Sequence, residues 1–215
     1  MATLREVKKR IRTVVSRLVF MVIVLTLLAA SSSSGFDGNR KGFVLGAGLG
    51  YAPTTGWSGK LQGYPSLIVR DRDEDKSGVG FNFLIGHGWD EKNMLVFEIN
   101  MSRWKSDLLT IRETTGQLLR NSSIWQGYIG GAWYHYFGSM GRSLFTALGL
   151  GQYRFITIYS SAFDQSAGTG ILIGGGYEFA RHWQFGTYLS TGFTTEKLGR
   201  WNYTDLKVLV SMVAF

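Results

Sequence analysis

The sequence predicts an all-β fold, an eight-stranded antiparallel transmembrane β-barrel preceded by a cleavable signal peptide. Three observations lead to this prediction. Large apolar residues alternate with glycine or polar residues over eight separate runs, short and long connections alternate between the runs, and the last run ends on the final residue, Phe215. After residue 34 no apolar run reaches the roughly 18 residues of a membrane-spanning helix, which excludes a helical membrane protein with several spans.

The composition is consistent with an exported protein. The 215 residues include 29 Gly, 2 Pro and no Cys, which excludes a lipid-anchored start, a disulfide framework and thiolate metal sites. The formal net charge is +8, but residues 1–34 hold six basic residues and one acidic residue, which leaves 17 basic and 14 acidic residues for the remainder. The basic excess therefore belongs mainly to the N-terminus, and no nucleic-acid partner is expected.

The first 34 residues have the three-part order of a secretory signal peptide. Residues 1–17 are basic, residues 18–30 are apolar, and residues 31–34 are four serines. The apolar run of 13 residues is too short for a transmembrane anchor, which needs about 20. We therefore predict a signal peptide over residues 1–34, cleavage between Ala30 and Gly35, and a single barrel domain over residues 36–215.

The eight runs follow one another along the rest of the chain. The first three are clearest, because residues such as Phe43, Phe83 and Phe97 alternate with glycine or polar residues. A glycine-crowded second face suits the narrow interior of a small barrel better than the wet face of a soluble sandwich. The predicted strands cover residues 41–51, 79–89, 95–102, 124–136, 144–155, 169–179, 183–194 and 204–215.

The connections predict the orientation. Those after the second, fourth and sixth runs are short, at residues 90–93, 137–143 and 180–182, whereas residues 52–78 and 105–123 form the longest connections. Outer-membrane barrels have short periplasmic turns and long external loops, so both termini are expected in the periplasm. Tryptophans near the ends of the runs predict two interfacial girdles, and Tyr134, Tyr136 and Phe137 are expected to join the periplasmic one. The girdle residues are Trp89 and Trp183 at the periplasmic side and Trp104 and Trp125 at the outer side.

Residues 41–51, residues 174–183 and the terminal Phe215 resemble the small outer-membrane β-barrel proteins of Gram-negative bacteria, in the broad OmpA/OmpX/OmpW-like sense. The resemblance implies an integral outer-membrane protein in contact with membrane lipids and lipopolysaccharide. It also implies that the outer-membrane assembly machinery reads the C-terminal strand, with Phe215 as the signal. It implies no particular substrate, and the oligomeric state stays open.

Polar residues expected to face the lumen are the candidate functional residues. Because an isolated buried charge is costly, charges in a narrow lumen must pair or hold water. Two interpretations stay open, a structural plug of paired side chains and a narrow path for ions or small solutes. The candidates are Glu98, Asn100 and Ser102, Gln152 and Arg154, Glu178, Gln184 and Ser190, and Lys207.

Other motifs give weaker signals. Carboxylates in residues 71–76 alternate as in a calcium loop but lack its glycine and its terminal glutamate, so a solvated loop tip is favoured over a weak cation site shared with lipopolysaccharide phosphates. The three histidines, His87, His135 and His182, fall at the predicted periplasmic end, away from outer-leaflet lipid A. We expect no enzyme, cofactor or metal. The expected function is a structural or surface-interaction role through the long loops, with a narrow passive channel for small or hydrophobic solutes or a lipid A-modifying enzyme as alternatives.

The last run contains a conflict. If Phe215 faces lipid, strict alternation places Lys207 and Ser211 on the lipid side and the aliphatic residues inside. A bulge shifts the register by one residue and reverses the faces. We therefore predict a bulge near Val213 or Ala214, with Lys207 and Ser211 in the lumen and Phe215 pointing outward.

Overall fold

The structure is a computed structural model. It describes residues 40–61, 76–106, 110–111, 118–119, 122–158, 163–196 and 199–215. The predicted signal peptide and the acidic segment at residues 71–75 lie outside these ranges. Among the described residues, no helix is long and apolar enough to span a membrane.

Eight long antiparallel strands close into one barrel, which confirms the predicted fold class. Around the barrel the order is β1, β10, β9, β8, β7, β6, β3 and β2, while β4 and β5 form a separate two-stranded hairpin. The bounds are β1 Gly42–Leu61, β2 Lys76–Gly88, β3 Asn93–Ser106, β4 Thr110–Ile111, β5 Leu118–Leu119, β6 Ser122–Tyr136, β7 Ser143–Ile158, β8 Phe163–Ala180, β9 Trp183–Glu196 and β10 Gly199–Ala214.

Several strands extend further toward the long-loop end than the alternation predicted. β1 continues to Leu61, where it pairs with Gly199 at the start of β10. The assignment of residues 52–61 to a loop is therefore wrong. The regular alternation of the sequence stops after Tyr51, where the register with β10 also shifts, but the backbone of β1 continues to pair with β10 as far as Leu61.

The outer surface of the barrel carries an apolar belt. Large hydrophobic side chains alternate outward along every long strand, and Leu150 has 75% of its surface exposed. Soluble proteins rarely expose a continuous apolar surface of this extent, whereas a barrel wall facing lipid requires one. The belt includes Phe43, Leu49, Tyr51, Val79, Ile85, Leu95, Phe97, Leu148, Leu150, Ile171, Ile173, Phe185, Leu189, Phe193, Val210 and Met212.

The inner surface combines glycines with large buried side chains. A Cβ on Gly149 would lie 2.7 Å from the Tyr128 hydroxyl oxygen, and one on Gly174 would lie 2.5 Å from Cδ1 of Tyr188. Glycine on the inner face therefore makes room for tyrosine rings from other strands, as expected for a narrow barrel. The large side chains that fill the lumen include Leu84, Met94, Ile124, Tyr128, Tyr134, Tyr136, Phe145, Tyr153, Tyr188, Lys207 and Phe215.

The last strand is regular where a bulge was predicted. β1 and β10 pair without interruption from Leu45 with Ala214 to Tyr51 with Val208, and the register shift lies instead between Tyr51 and Thr54. Phe215 is buried in the structure and stacks on His182, with 5.8 Å between ring centroids. The predicted bulge and the outward Phe215 are therefore wrong, because the conflict is resolved by turning the aromatic ring inward.

The predicted faces of the rest of β10 are confirmed. Lys207 and Ser211 are buried on the lumen side, and Val210 and Met212 are exposed on the outer side. No bulge is needed to place Lys207 and Ser211 in the lumen. Residues 207, 211 and 215 share one face of a regular strand, so all three point inward together.

Candidate functional site

The lumen holds a hydrogen-bonded set of buried polar side chains, and Glu98 of β3 lies within it. The Glu98 side chain is fully buried. Its Oε1 accepts a hydrogen bond from Nδ2 of Asn100 at 2.8 Å, and its Oε2 accepts one from the Tyr134 hydroxyl at 2.7 Å. Two neutral donors therefore stabilise this carboxyl group inside the barrel.

An ion pair on β10 lies on the same inner surface. Nζ of Lys207 is 2.5 Å from Oδ2 of Asp205 and 3.1 Å from Oγ of Ser190, to which it donates a second hydrogen bond. Both charged side chains have no exposed surface. Four residues further along the strand, Ser211 donates a hydrogen bond to Oδ1 of Asn82 at 3.1 Å. These contacts join β10 to its neighbour β9 and, past β1, to β2.

A second ion pair lies at the short-turn end. Nη2 of Arg40 pairs with Oε2 of Glu178, and both side chains are buried. Nη1 of Arg40 also donates to the carbonyl oxygens of Glu91 at 2.8 Å and Gly138 at 3.2 Å. The guanidinium lies 3.9 Å from the centroid of the Tyr136 ring. Arg40 therefore connects the start of β1 to two turns and to β8.

Between this ion pair and Glu98, tyrosine and glutamine side chains continue the hydrogen-bonded set. The Tyr136 hydroxyl donates to Oε1 of Gln184 at 2.9 Å, and Nε2 of Gln184 donates to the Tyr188 hydroxyl at 3.5 Å. Tyr134 and Tyr136 were expected in the aromatic girdle, but both are buried in the lumen. That expectation is wrong, because both residues share the inner face of β6 with Ala132.

Aromatic rings occupy the lumen toward the long-loop end. Tyr153 and Tyr203 stack with 5.5 Å between ring centroids, and Phe155 stacks on Tyr203 at 4.9 Å. Tyr153 is fully buried and Tyr203 nearly so. These rings form an aromatic cluster on the inner surface that links β7 to β10.

The predicted lumen residues fall into two groups. Glu98, Asn100, Glu178 and Lys207 are buried inside, together with Ser102, Gln184 and Ser190. Arg154 and Gln152 face outward, because they share the outer face of β7 with Leu148 and Leu150. The prediction that Arg154 lies in the lumen is therefore wrong, since its strand continues past the apolar belt without changing face.

Of the four predicted girdle residues, three lie on the outer face or at the exposed end of the barrel and one lies inside. Trp89 and Trp183 are exposed at the short-turn end, and Trp125 is half-buried on the outer face of β6. Trp104 is only 2% exposed and shares the inner face of β3 with Glu98 and Asn100, so its prediction as a girdle residue is wrong. Trp133, which was not predicted, is exposed at the short-turn end and donates a hydrogen bond to Oδ1 of Asn93 at 3.2 Å.

Two charged lumen residues of the described ranges were missed, Arg40 and Asp205. Asp205 is two residues before Lys207 and therefore lies on the same face of the strand, so its inward direction could have been predicted from that of Lys207. Arg40 precedes the first run, and no pattern in the sequence distinguishes it from its exposed neighbour Lys41. Within the described part of the chain, no three His, Asp or Glu side chains are arranged to hold a metal ion.

Comparisons with known proteins show a similarity of fold and do not indicate a ligand or an activity. No family model and no curated protein matches the chain. The crystal structure of Ail of Yersinia pestis in complex with the heparin analogue sucrose octasulfate is 12% identical, with 80% of this chain and 99% of that chain covered and a TM-score of 0.46. The outer membrane protein OprG from Pseudomonas aeruginosa is 10% identical, with 83% and 98% covered and a TM-score of 0.47. The outer membrane protein AlkL is 13% identical, with 85% and 93% covered and a TM-score of 0.44.

Proposed function

We propose that the chain is a non-enzymatic protein of the bacterial outer membrane, with its termini in the periplasm, that acts structurally or through surface interactions at its long-loop end. The observation that carries this proposal is the filled lumen. Among the described residues, large side chains occupy it, and the buried Lys207 and Arg40 are each paired with a carboxylate. A barrel whose interior is occupied in this way has its outer surface and loops left for contact with other molecules.

Strand number supports the same conclusion. An eight-stranded barrel encloses a space that side chains can just fill. Here buried tyrosine rings from β6, β7 and β9 occupy it, and Tyr153 of β7 stacks on Tyr203 of β10. The apolar belt supports placement in a membrane, where only closed barrels and helices satisfy their backbone groups.

A narrow passive channel is the second candidate, and one observation favours it. Oδ1 of Asn100 and Oε1 of Gln126 are buried and have no hydrogen-bond partner among the described residues. Buried polar atoms of this kind usually bind water. A chain of ordered waters between the side chains would provide a path for small ions without a wide pore.

Planar-bilayer recording separates the two candidates. We expect the refolded full chain to give no reproducible conductance steps, and Glu98→Gln and Lys207→Met to leave the membrane equally silent. Steps in the unmodified protein that change in either variant would support the channel and refute the closed barrel. Thr187→Val, a substitution on the exposed outer face, serves as the control that should change nothing.

Two parts of the proposal need separate tests. Absence of enzymatic activity predicts that the mass spectrum of lipid A is unchanged on expression, and a new lipid A species would refute it. Recognition by the assembly machinery predicts that Phe215→Ala reduces the membrane-inserted fraction, whereas Phe179→Ala on the outer face does not. Since Phe215 is buried in the finished barrel, this recognition would have to precede its closure.

A further inference from the structure

The residues that flank the first and last barrel strands both turn into the lumen at its short-turn end. Arg40 lies two residues before β1, and Phe215 follows directly after β10. β1 and β10 are paired neighbours, so their pairing closes the barrel. Arg40 is 1% exposed and Phe215 is 2% exposed. Both residues are therefore buried inside the barrel, although both lie outside the bounds of the strands.

The Arg40 side chain reaches across the short-turn end of the lumen. Its guanidinium pairs with Glu178 of β8 and donates to the carbonyl oxygens of Glu91 and Gly138, in the β2–β3 and β6–β7 turns. A Cβ on Gly88 of β2 would collide with the Arg40 carbonyl oxygen. Between β1 and β8 lie two strands in one direction around the barrel and four in the other. The contact with β8 therefore crosses the opening instead of following its rim.

Phe215 covers the part of the opening next to β9 and β10. Its ring stacks on His182 in the β8–β9 turn, with 5.8 Å between ring centroids. The backbone N–H of Val213 donates to the His182 carbonyl oxygen at 2.8 Å, and Nδ1 of His182 lies 3.0 Å from the Val213 carbonyl oxygen. The His182 backbone has a φ of 70°, which is uncommon outside glycine and persists only where surrounding contacts support it. The turn is thus fixed in position to receive the terminal ring.

Arg40 and Phe215 cover the same group of buried aromatic side chains. The Arg40 guanidinium carbon is 3.9 Å from the centroid of the Tyr136 ring, and Phe215 belongs to one buried hydrophobic cluster with Tyr136. Ser143 of β7 is buried as well, and it is the cross-strand neighbour of Glu178. The two flanking residues therefore separate the short-turn end of the lumen from the surrounding water.

We infer that Arg40 and Phe215 form a two-part lid over the short-turn end of the lumen, and that this lid opens while the strands stay paired. Because both residues lie outside the strand bounds, their side chains can leave the lumen without breaking the β1–β10 ladder. Local opening of this kind requires less free energy than global unfolding. Hydrogen bonds from a charged donor and aromatic stacking stabilise the closed position. This inference rests on the proposed closed lumen, whose periplasmic end the lid would cover.

Thiol labelling of the refolded full chain in lipid vesicles tests the lid. Ser143→Cys reports on the short-turn end of the lumen, and Ser190→Cys reports on a buried position further along the strands. A charged, water-soluble thiol reagent should modify position 143 at least about tenfold faster when Arg40→Ala or Phe215→Ala is added, because the closed position loses its contacts. Position 190 should stay protected in both variants.

Control variants separate the lid from other effects of the substitutions. Lys41→Ala and Phe179→Ala change exposed residues of similar chemistry at the same end of the barrel and should leave both labelling rates unchanged. Arg40→Ala combined with Glu178→Gln removes both charges, so no carboxylate is left buried without its cation. This double variant still lacks the Arg40 contacts and should be labelled at position 143 as fast as Arg40→Ala.

Four outcomes would overturn the inference. One is unchanged labelling of position 143 in lid variants that keep the heat-dependent gel shift of a closed barrel. A second is equal acceleration at position 190, which would show that the whole lumen loosens. A third is labelling of position 143 without any lid substitution as fast as that of Ser139→Cys in the exposed turn. A fourth is loss of the gel shift in every lid variant, which would exclude opening of an intact barrel.

Failure of the proposed closed lumen would give a different result. In that case position 190 would be labelled rapidly in the protein that carries both Arg40 and Phe215. The labelling rates at the two positions therefore distinguish an absent lid from an open lumen.

Discussion

Lys207 and Asp205 lie two residues apart on β10, and their charged groups meet 2.5 Å apart inside the barrel with no exposed surface. Breaking such a pair leaves one charge buried alone. We predict that Lys207→Met lowers the free energy of unfolding by about 3–5 kcal/mol, because Asp205 loses its cation. Urea titration of the protein folded in lipid vesicles measures this change.

The double variant Lys207→Met with Asp205→Asn is the control for that prediction. It removes both charges, so it should recover most of the lost stability. Lys92→Met, in an exposed turn, should change the free energy of unfolding by less than about 0.5 kcal/mol. A double variant as unstable as the single one would contradict the pairing.

The hydrogen bond from Tyr134 to Glu98 gives a second prediction. Tyr134→Phe removes the donor to Oε2 and leaves the ring in place. The expected loss is about 1–3 kcal/mol, since a buried acceptor loses its partner. Tyr177→Phe, on the exposed outer face of β8, is the matched control and should be nearly neutral. Equal effects in the two variants would show that Tyr134 does not support Glu98.

Glycines of the two faces should respond oppositely to alanine. A Cβ on Gly176 would lie 2.0 Å from the backbone oxygen of Phe185, whereas one on Gly131 would meet nothing within 4 Å. Gly176→Ala must therefore separate β8 from β9, at a cost of about 1–3 kcal/mol. Gly131→Ala should be tolerated. The temperature at which the heat-dependent gel shift is lost compares the two, and a more stable Gly176→Ala would contradict the described contact.

The turn between β2 and β3 contains a pH-dependent contact. The side-chain hydrogen bond from Asn93, followed by the backbone hydrogen bond from Lys92, holds the pKa of Asp90 below its ordinary value of 3.8. Because the folded state favours the carboxylate, its stabilising effect is fully present above pH 3.8 and is lost as the pH falls through the lower folded pKa.

Unfolding midpoints of the unmodified protein and Asp90→Asn measure this effect as a function of pH. We expect the unmodified protein to be more stable at neutral pH and the two midpoints to converge under acidic conditions below pH 3.8, where Asp90 becomes protonated. A difference that stays constant from neutral to acidic pH would show that the Asp90 charge contributes nothing.

Alternation in the sequence was enough to predict the number of barrel strands, their order along the chain and most of their faces. Each of the eight runs became a barrel strand, since a period of two is hard to mistake when one face is glycine and the other is large and apolar. Alternation was less informative beyond the belt. There Arg154 looks like a lumen residue by its charge, although its face is that of Leu150.

Packing across the barrel could not be predicted in the same way. Arg40 and Glu178 are 138 positions apart, and nothing local indicates that they pair. Phe215 is predicted to point outward, but its ring is buried and stacks on His182 in the folded barrel. Such contacts form only when the whole sheet closes into a barrel. The alternation predicts that the sheet closes, but it does not predict which side chains then meet inside it.

The closed lumen is the central claim, and cysteine accessibility tests it most directly because the chain has no cysteine. Ser190→Cys and Ser211→Cys place thiols on the inner surface, and Ser139→Cys places one in an exposed turn. A charged, water-soluble thiol reagent should modify the cysteine at position 139 rapidly and the two lumen cysteines only after the barrel is unfolded by heat. Modification of all three at similar rates in the folded protein would contradict a closed lumen.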